Sequence, residues 1–220
     1  MAFKAKDFIE IEFTGKTEEG MIFDSNIKED LKKTDIKAEA KPFIFCLGAG
    51  MFLKGAEEFL IGKEKGEYTI ELTPDKAFGK RNPSLIQTMP MKIFKENKLN
   101  PFPGAVFNFD NRMGRVLTVS GGRVMTDFNN PLAGKNVIYK INVLRKVEDI
   151  KEKVDAFTDF LLRKKFNFKV EGTKIIFEAE KGMAQFLVLF KDKFKEVFDL
   201  DIEAKEIEGK KEQDKKEIKK

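Results

Sequence analysis

Two side chains of reactive type stand out in this sequence, Asp24 at the end of one apolar run and Cys46 within another. Asp24 comes directly after Ile22 and Phe23 at the end of a strand-like segment. A carboxylate in such a place usually closes a turn, although it can also face a bound ligand. Cys46 lies within the apolar run 42–47, where a small buried hydrophobic side chain is expected rather than a nucleophile.

The types of residue that are absent exclude several kinds of chemistry. The chain has no histidine and a single cysteine. Serine–histidine–aspartate catalysis, a histidine general base and histidine-ligated metals are therefore excluded, as are disulfide frameworks and cysteine-based zinc sites. We expect neither a metal nor a cofactor. Any reaction that this protein catalyses must therefore need little general acid–base catalysis.

Aromatic residues offer a different kind of site, an apolar pocket. The chain has 23 phenylalanines, two tyrosines and no tryptophan. Residues 42–62 form the longest apolar stretch, which reads as a strand, a glycine turn and a helix over 51–60. That helix would place Phe52 and Ala56 on one side and end at Gly62. The stretch therefore predicts the floor and wall of a pocket.

Alternating apolar residues predict the strands that would surround this stretch. Strands are predicted at 8–16, 66–73 and 137–147, and the first should form a hairpin with residues 21–24. Residues 84–131 differ in character, with four methionines and a Gly121-Gly122 hairpin signal. We predict three further strands in this segment, at 105–110, 115–120 and 123–128.

The last third of the chain predicts a small α+β unit. Asp149 and Glu152 resemble a capping box at the start of a helix. Strands at 166–170 and 175–179, one helix over 183–197 and a strand at 200–204 should follow. The predicted domains are therefore 1–83 with 132–148, an insert 84–131, a C-terminal unit 149–208 and a charged tail 209–220.

Charge and hydropathy exclude further classes of function. The net charge is +5, and the tail with six lysines and three acids supplies +3 of it, which leaves +2 of mixed sign elsewhere. That is not the basic stripe of a nucleic-acid-binding protein. No apolar run is long enough to cross a membrane, and the N-terminus lacks a signal-peptide core. We expect a cytoplasmic protein that binds neither nucleic acid nor membrane.

Several short motifs occur in a specific order along residues 1–83 and 132–148. They include Phe13-Thr14-Gly15, Phe23-Asp24-Ser25, Pro42-Phe43, Leu53-Lys54-Gly55 and Ala77-Phe78-Gly79. Together they resemble the FKBP-type peptidyl-prolyl isomerases. The resemblance implies an α+β fold in which an antiparallel sheet wraps on one short helix. It also implies a prolyl-peptide pocket formed by Phe13, Phe23, Asp24, Phe43, Phe52, Leu53, Ala56, Phe78 and Tyr139.

The sequence departs from that family at three pocket positions. Ala56 replaces the tryptophan that is usual in macrolide-binding members, and Phe13 and Phe78 stand where tyrosines are common. We therefore expect weaker binding of macrolide inhibitors. On this interpretation Phe43, Phe52 and Tyr139 would hold the proline ring over Ala56.

Residues 84–131 interrupt the family's flap, as in SlyD-type and archaeal members that carry an inserted chaperone domain. The histidine-rich metal-binding tail of SlyD-type members is replaced here by lysine and glutamate. Phe107 and Leu117 are expected in the insert's own core. The residues predicted to contact clients are Met89, Met91, Ile93, Phe94, Met125 and Phe128.

The resemblance therefore implies a peptidyl-prolyl isomerase that is also a folding chaperone for unfolded or nascent polypeptides. The alternative is a holdase, a client-binding chaperone whose isomerase pocket is vestigial. Residues 149–208 resemble the C-terminal extension of long archaeal members. Their many phenylalanines leave two roles open for this unit, homodimerisation and client binding.

Overall fold

A computed structural model describes residues 1–207, apart from the side chain of Lys181. The predicted tail 209–220 lies outside the described residues. The strands are β1 Phe8–Thr17, β2 Ile22–Ser25, β3 Phe43–Cys46, β4 Gly66–Leu72, β5 Ile86–Pro90, β6 Val106–Phe109, β7 Arg112–Ser120, β8 Arg123–Asp127, β9 Val137–Val147, β10 Asn167–Glu171, β11 Lys174–Glu180 and β12 Asp201–Ile207. The helices are α1 Lys28–Leu31, α2 Lys54–Leu60, α3 Met91–Glu96, α4 Ile150–Leu162, α5 Lys181–Val188 and α6 Lys191–Phe198.

The first sheet is antiparallel and has the order β2-β1-β9-β4. β9 pairs with β1 along the whole of that strand, from Phe8 to Thr17. The opposite edge of β1 is shared, because β3 pairs with residues 8–11 and β2 with residues 14–16. The short helix α2 buries Ala56 and Leu60 in the same core as this sheet. The expected antiparallel sheet with one short helix is confirmed.

The predicted helix over 51–60 is shorter in the structure. Leu53 has extended backbone angles (φ −63°, ψ 132°), so α2 begins only at Lys54. Residues 48–52 form a turn instead, with Gly48 and Gly50 at positive φ. Leu60 ends the helix, and Gly62 takes a φ of +83° shortly after it, as expected of a glycine that stops a helix.

The insert forms a separate antiparallel sheet of order β5-β8-β7-β6. Its buried core consists of Phe94 of α3 with Ala105, Val116 and Val124. Three of its strands were predicted, whereas β5 and α3 were missed. The β5 sequence, Ile-Gln-Thr-Met-Pro, lacks clear alternation, and α3 has only six residues. The insert is joined to the first sheet at a neck, where the N–H of Gly134 donates to the carbonyl oxygen of Gly79 at 2.8 Å.

The C-terminal unit has a sheet of order β10-β11-β12, with β11 and β12 parallel. Asp149 caps α4, because its Oδ1 accepts from the N–H of Glu152 at 2.8 Å. The single helix expected over 183–197 is wrong: Phe190 leaves helical geometry (φ −97°, ψ 8°) and separates α5 from α6. The apolar spacing nevertheless continues across this break, since Leu187 and Phe194 are both buried.

The C-terminal unit shares one continuous core with the first sheet. Phe8 of β1 stacks on Phe198 of α6 with ring centroids 5.4 Å apart, and α4 contacts β3. Lys6 Nζ lies 3.1 Å from an oxygen of Asp199 at the rim of this contact. No helix among residues 1–207 is both long and apolar enough to span a membrane.

Candidate active site

Aromatic side chains from five segments meet beside the first sheet. Phe52 stands edge-on to Tyr139 of β9, with centroids 5.4 Å apart and an interplanar angle of 86°. Phe13 of β1 lies 5.1 Å from Phe52. Phe23 of β2 lies 5.7 Å from Tyr139 and 5.5 Å from Phe78. Three of these four contacts are edge to face, a geometry that fixes ring orientation, so these rings form a pre-shaped apolar surface.

The β3 side of this surface is lined by two further phenylalanines. Phe43 and Phe45 stack with centroids 5.5 Å apart, and Phe45 lies at the same distance from Phe52. Phe45 is fully buried and was not predicted as a site residue. It supports Phe43 and Phe52 from behind, a role that strand alternation alone does not distinguish from ordinary core packing.

Gly15 lets two of the rings approach the backbone of β1. A Cβ atom at this position would lie 2.8 Å from Cζ of Tyr139 and 3.0 Å from Cζ of Phe23. Such distances are too short for carbon atoms, so any larger residue here would displace both rings. The glycine therefore sets how closely Tyr139 and Phe23 pack over the strand.

Asp24 is the charged group of the site, and Tyr139 is its partner. The Tyr139 hydroxyl donates a hydrogen bond to Oδ2 of Asp24 over 3.1 Å. Burial raises the pKa of Asp24, although the hydrogen bond from Tyr139 opposes that shift. Burial, with the negative charge of Asp24, also raises the pKa of Tyr139. The site therefore keeps one poorly solvated carboxylate whose position is fixed by a phenol.

Asn26 completes the edge of β1 between its two partner strands. Its Oδ1 accepts from the N–H of Phe13 at 2.8 Å, and its Nδ2 donates to the carbonyl oxygen of Ile11 at 3.0 Å. Between the part of β1 that pairs with β3 and the part that pairs with β2, the side-chain amide thus makes the hydrogen bonds that a partner strand would otherwise make. Because buried Asn26 directly follows β2, these bonds tie the end of the strand that carries Asp24 to β1.

Glu57 of α2 fixes the turn that carries Phe52. Its Oε1 accepts from the N–H of Phe52 at 2.6 Å, and its Oε2 accepts from the N–H groups of Gly48 and Gly50 at 2.8 and 3.2 Å. The side chain is only 4% exposed. A buried carboxylate with three amide donors holds this turn in one conformation. Sequence reasoning missed Glu57 because its exposed neighbour Glu58 is of the same type.

The structure brings the predicted pocket residues together. Phe13, Ala56 and Tyr139 are buried, while the others are partly exposed. Leu53 caps the N-terminus of α2, with Ala56 in the core beneath it. The residues partly exposed at the site are Phe23, Asp24, Phe43, Phe52, Leu53 and Phe78. Their catalytic roles remain predictions.

This arrangement offers apolar contact and one carboxylate rather than a nucleophile. Burial, helped by the charge of Glu57, raises the pKa of the Cys46 thiol to about 12, so its reactive thiolate form is disfavoured. Among residues 1–207, no cluster of three or more acidic or cysteine side chains could hold a metal ion.

The predicted client-binding residues lie at different depths in the insert. Met125 is 39% exposed, and Met89, Met91, Ile93 and Phe128 are partly exposed. Phe94 differs from the prediction because its side chain is fully buried. α3 is so short that this one ring fills the core, packing against Phe107 and Phe109. Phe94 therefore stabilises the core of the insert and is not accessible to a client. The exposed residues Val106 and Met113 were missed. Phe107 packs against the insert's core as expected, whereas Leu117 is partly exposed and lies outside that core.

Comparison with known proteins places the chain in a family. Residues 1–98 match the family described as FKBP-type peptidyl-prolyl cis-trans isomerase. The chain is 31% identical over 144 residues to the short-type peptidyl-prolyl cis-trans isomerase of Methanocaldococcus jannaschii, an alignment that covers 64% of this chain and 91% of the relative. The chain belongs to the FKBP-type peptidyl-prolyl cis-trans isomerases.

Other relatives of this FKBP-type isomerase include proteins of the SlyD group. The FKBP-type 16 kDa isomerase of Escherichia coli is 31% identical over 140 residues, which cover 61% of this chain and 87% of the relative. The SlyD isomerase of Aeromonas hydrophila is 26% identical, covering 61% of this chain and 60% of the relative. Residues 87–132 match the family described as FKBP26, IF domain. The protein is therefore a peptidyl-prolyl cis-trans isomerase.

Proposed function

We propose that this isomerase binds X–Pro segments on the aromatic surface around Tyr139 and couples catalysis to the holding of unfolded chains by its insert. The observation that carries the first half is the packed set of rings beside the Asp24–Tyr139 hydrogen bond. It joins β1, β2, β9 and the turn before α2 at one place, which is partly open to solvent.

The reaction suits a site with no nucleophile. An X–Pro bond isomerises through a twisted amide over a barrier of about 20 kcal/mol. Twisting removes amide resonance, so the carbonyl becomes less polar and the twisted form loses less on leaving water than the planar form does. A dry aromatic surface therefore lowers the barrier without proton transfer or a covalent step.

Each part of the site has a distinct role in this mechanism. Phe43, Phe52 and Tyr139 hold the proline ring, with Ala56 beneath them. The backbone N–H of Leu53 anchors the substrate chain. Asp24, whose Oδ2 accepts from Tyr139, orients the substrate carbonyl or orders the rings around it. Buried Ala56 leaves the floor smaller than a tryptophan would, so we expect macrolides to bind weakly.

The insert supplies the chaperone part of the proposal. A small sheet buries little of its apolar surface, and Met113 and Met125 are 58% and 39% exposed. Flexible methionine side chains adapt to many sequences. An unfolded chain held there meets the pocket at a raised effective concentration, so the insert accelerates catalysis on proteins more than on short peptides.

For the C-terminal unit, the exposed end of α5 supports an association surface. Phe186, Val188 and Leu189 are 46%, 46% and 74% exposed, whereas Phe157 and Phe194 pack edge to face in the core. Self-association and client binding both fit this patch. Gel filtration of Leu189→Glu in the full chain separates them: a smaller particle indicates a dimer, whereas unchanged elution with weaker suppression of client aggregation indicates client binding.

The decisive experiment compares the full chain with a variant whose residues 84–131 are replaced by a short linker. The Gly134–Gly79 hydrogen bond shows that the two ends of the insert are close, so a glycine-serine linker can join them. We expect the variant to keep its activity on a short proline peptide and to lose most of its acceleration of proline-limited refolding. Equal activity of both proteins on both substrates would contradict the insert's role.

Asp24→Leu in the full chain is the matched control, since it should lower turnover on both substrates. If the unmodified chain changed neither rate but still suppressed aggregation, the holdase alternative would be favoured. If Asp24→Leu kept full turnover, Asp24 would have no part in the mechanism.

A further inference from the structure

In the described part of the chain, one face of the insert sheet has no helix packed on it. α3 and its buried Phe94 cover the other face. Across the strands, Val106 of β6, Arg115 of β7 and Asp127 of β8 are paired neighbours in register. Because side chains alternate along a strand, Arg123 and Met125 share the face of Asp127. We call this surface, with Val106, Met113, Arg115, Leu117, Arg123 and Met125, the open face.

Apolar side chains of the open face are accessible. Val106 is 47%, Met113 58% and Met125 39% exposed. Val106, Met113 and Leu117 line a groove of about 220 Å³. Asn130, Pro131 and Ala133, which lead from the insert back to the first sheet, also line this groove. The groove therefore runs from the open face towards the isomerase domain.

The charged side chains of the open face differ in whether they have a partner of opposite charge. Arg81 Nη2 donates to Oδ2 of Asp127 at 2.6 Å, and Oδ1 of Asp127 accepts from the backbone N–H of Asn129 at 2.9 Å. Arg115 and Arg123 have no acidic partner within ion-pair distance in the described part of the chain. The insert as a whole contains six Lys or Arg and three Asp or Glu. The open face therefore combines apolar contact area with unneutralised positive charge.

We propose that the open face selects extended client segments in which acidic side chains flank apolar ones. This rests on the proposed chaperone function of the insert and names its preferred class of client. The apolar side chains of the client contact Val106, Met113 and Met125, and its carboxylates pair with the guanidinium groups of Arg115 and Arg123. Clients with lysine at those flanking positions are repelled.

A nucleic acid is the other polyanion that such a face could attract. The arginines here alternate with apolar side chains and do not form a continuous basic stripe, and the exposed methionines offer no aromatic surface for base stacking. A polypeptide therefore fits the open face better than an oligonucleotide does.

The test uses three fluorescent peptides without proline, so that the isomerase pocket does not contribute. They share one apolar sequence and carry Glu, Gln or Lys at the two flanking positions. With the full chain at low salt, fluorescence anisotropy should show the Glu peptide binding about tenfold more tightly than the Lys peptide. The difference should shrink at about 0.5 M salt, where exposed charges are screened.

Variants locate the effect on the open face. Arg115→Gln with Arg123→Gln should remove most of the difference between the Glu and Lys peptides. Lys95→Gln with Lys98→Gln removes the same charge from exposed positions near α3 and should leave the difference unchanged. Circular dichroism melting of both double variants checks that each remains folded.

Each of the following results would overturn the proposal and would show which part of it is wrong. Equal affinity for all three peptides would refute the acidic preference but leave the chaperone function standing. An absence of binding by any peptide would count against the chaperone function as well. Equal effects of the two double variants would show that only net charge matters. Stronger binding of a single-stranded oligonucleotide that displaces the Glu peptide would assign the face to nucleic acid.

Discussion

Replacement of Glu57 by glutamine should loosen the turn that carries Phe52. The carboxylate accepts three backbone hydrogen bonds, one on Oε1 from Phe52 and two on Oε2 from Gly48 and Gly50. Glutamine has one oxygen and one NH2 group. In either orientation at least one backbone N–H then faces another donor, so the substitution replaces an attraction with a repulsion.

The size of the effect follows from these contacts. A hydrogen bond to a charged group contributes about 1.5–3 kcal/mol when its partner is lost from a buried site. Gly48 and Gly50 are exposed, so their amides can bind water in the variant. We therefore expect Glu57→Gln to lower the free energy of unfolding by about 2 kcal/mol, which corresponds to about 4–8 °C in Tm.

Catalysis should fall together with stability, because Phe52 contacts both Phe13 and Tyr139. A displaced ring that loses about 1.4 kcal/mol of transition-state contact lowers kcat/KM about tenfold. Urea unfolding and the cis-to-trans rate of a short proline peptide measure the two effects separately.

The adjacent Glu58 provides a matched control. It is exposed and forms only surface ion pairs, with Lys54 and Lys76, which contribute less than about 1 kcal/mol. Glu58→Gln should therefore leave kcat/KM unchanged and shift stability little. If the two variants behaved alike in both assays, the assignment of Glu57 as the residue that holds the turn would be refuted.

Three further substitutions test the parts of the site around β1. Burial raises the pKa of Asp24 above its ordinary value, so ionisation of this carboxyl costs more in the folded protein than in the unfolded chain. As the pH rises from that ordinary value through the raised pKa, the wild type should lose stability relative to Asp24→Asn; urea unfolding at several pH values would contradict this if the difference stayed constant. Tyr139→Phe removes the donor to Asp24 and should cost about 1–2 kcal/mol with a several-fold lower kcat/KM, whereas Tyr68→Phe, at the other tyrosine, should leave turnover unchanged. Asn26→Ala should cost about 2–3 kcal/mol because the N–H of Phe13 loses its acceptor, and hydrogen exchange at that amide should become faster; unchanged exchange would show that another group replaces the side chain.

Sequence patterns predicted the elements whose residue types usually occur in a single kind of secondary structure. Alternation located β1 and β9, and the glycine turn with the following apolar helix located α2. The order of the motifs brought Asp24 and Tyr139 into one predicted site, although they are 115 positions apart. Their hydrogen bond could not be predicted, because it depends on the register of β1 with both β2 and β9.

Other features depend on orientation, which composition does not reveal. Glu57 and Glu58 are neighbours of the same type, yet only Glu57 points into the turn. Phe94 looks like an exposed apolar side chain in a charged segment, but the fold makes it the centre of the insert's core. The break at Phe190 was missed because the spacing of apolar residues is the same on both sides of it.

The stacking of Phe8 on Phe198 joins the first strand of the isomerase sheet to the last helix of the described chain. Because both segments belong to one continuous buried core, we expect them to unfold together, whereas the insert has a core of its own. The molecule then has two cooperative units of unequal size. We therefore expect the smaller one to unfold at a lower urea concentration than the larger one, so that the aromatic rings of the candidate site stay ordered after the insert has lost its structure.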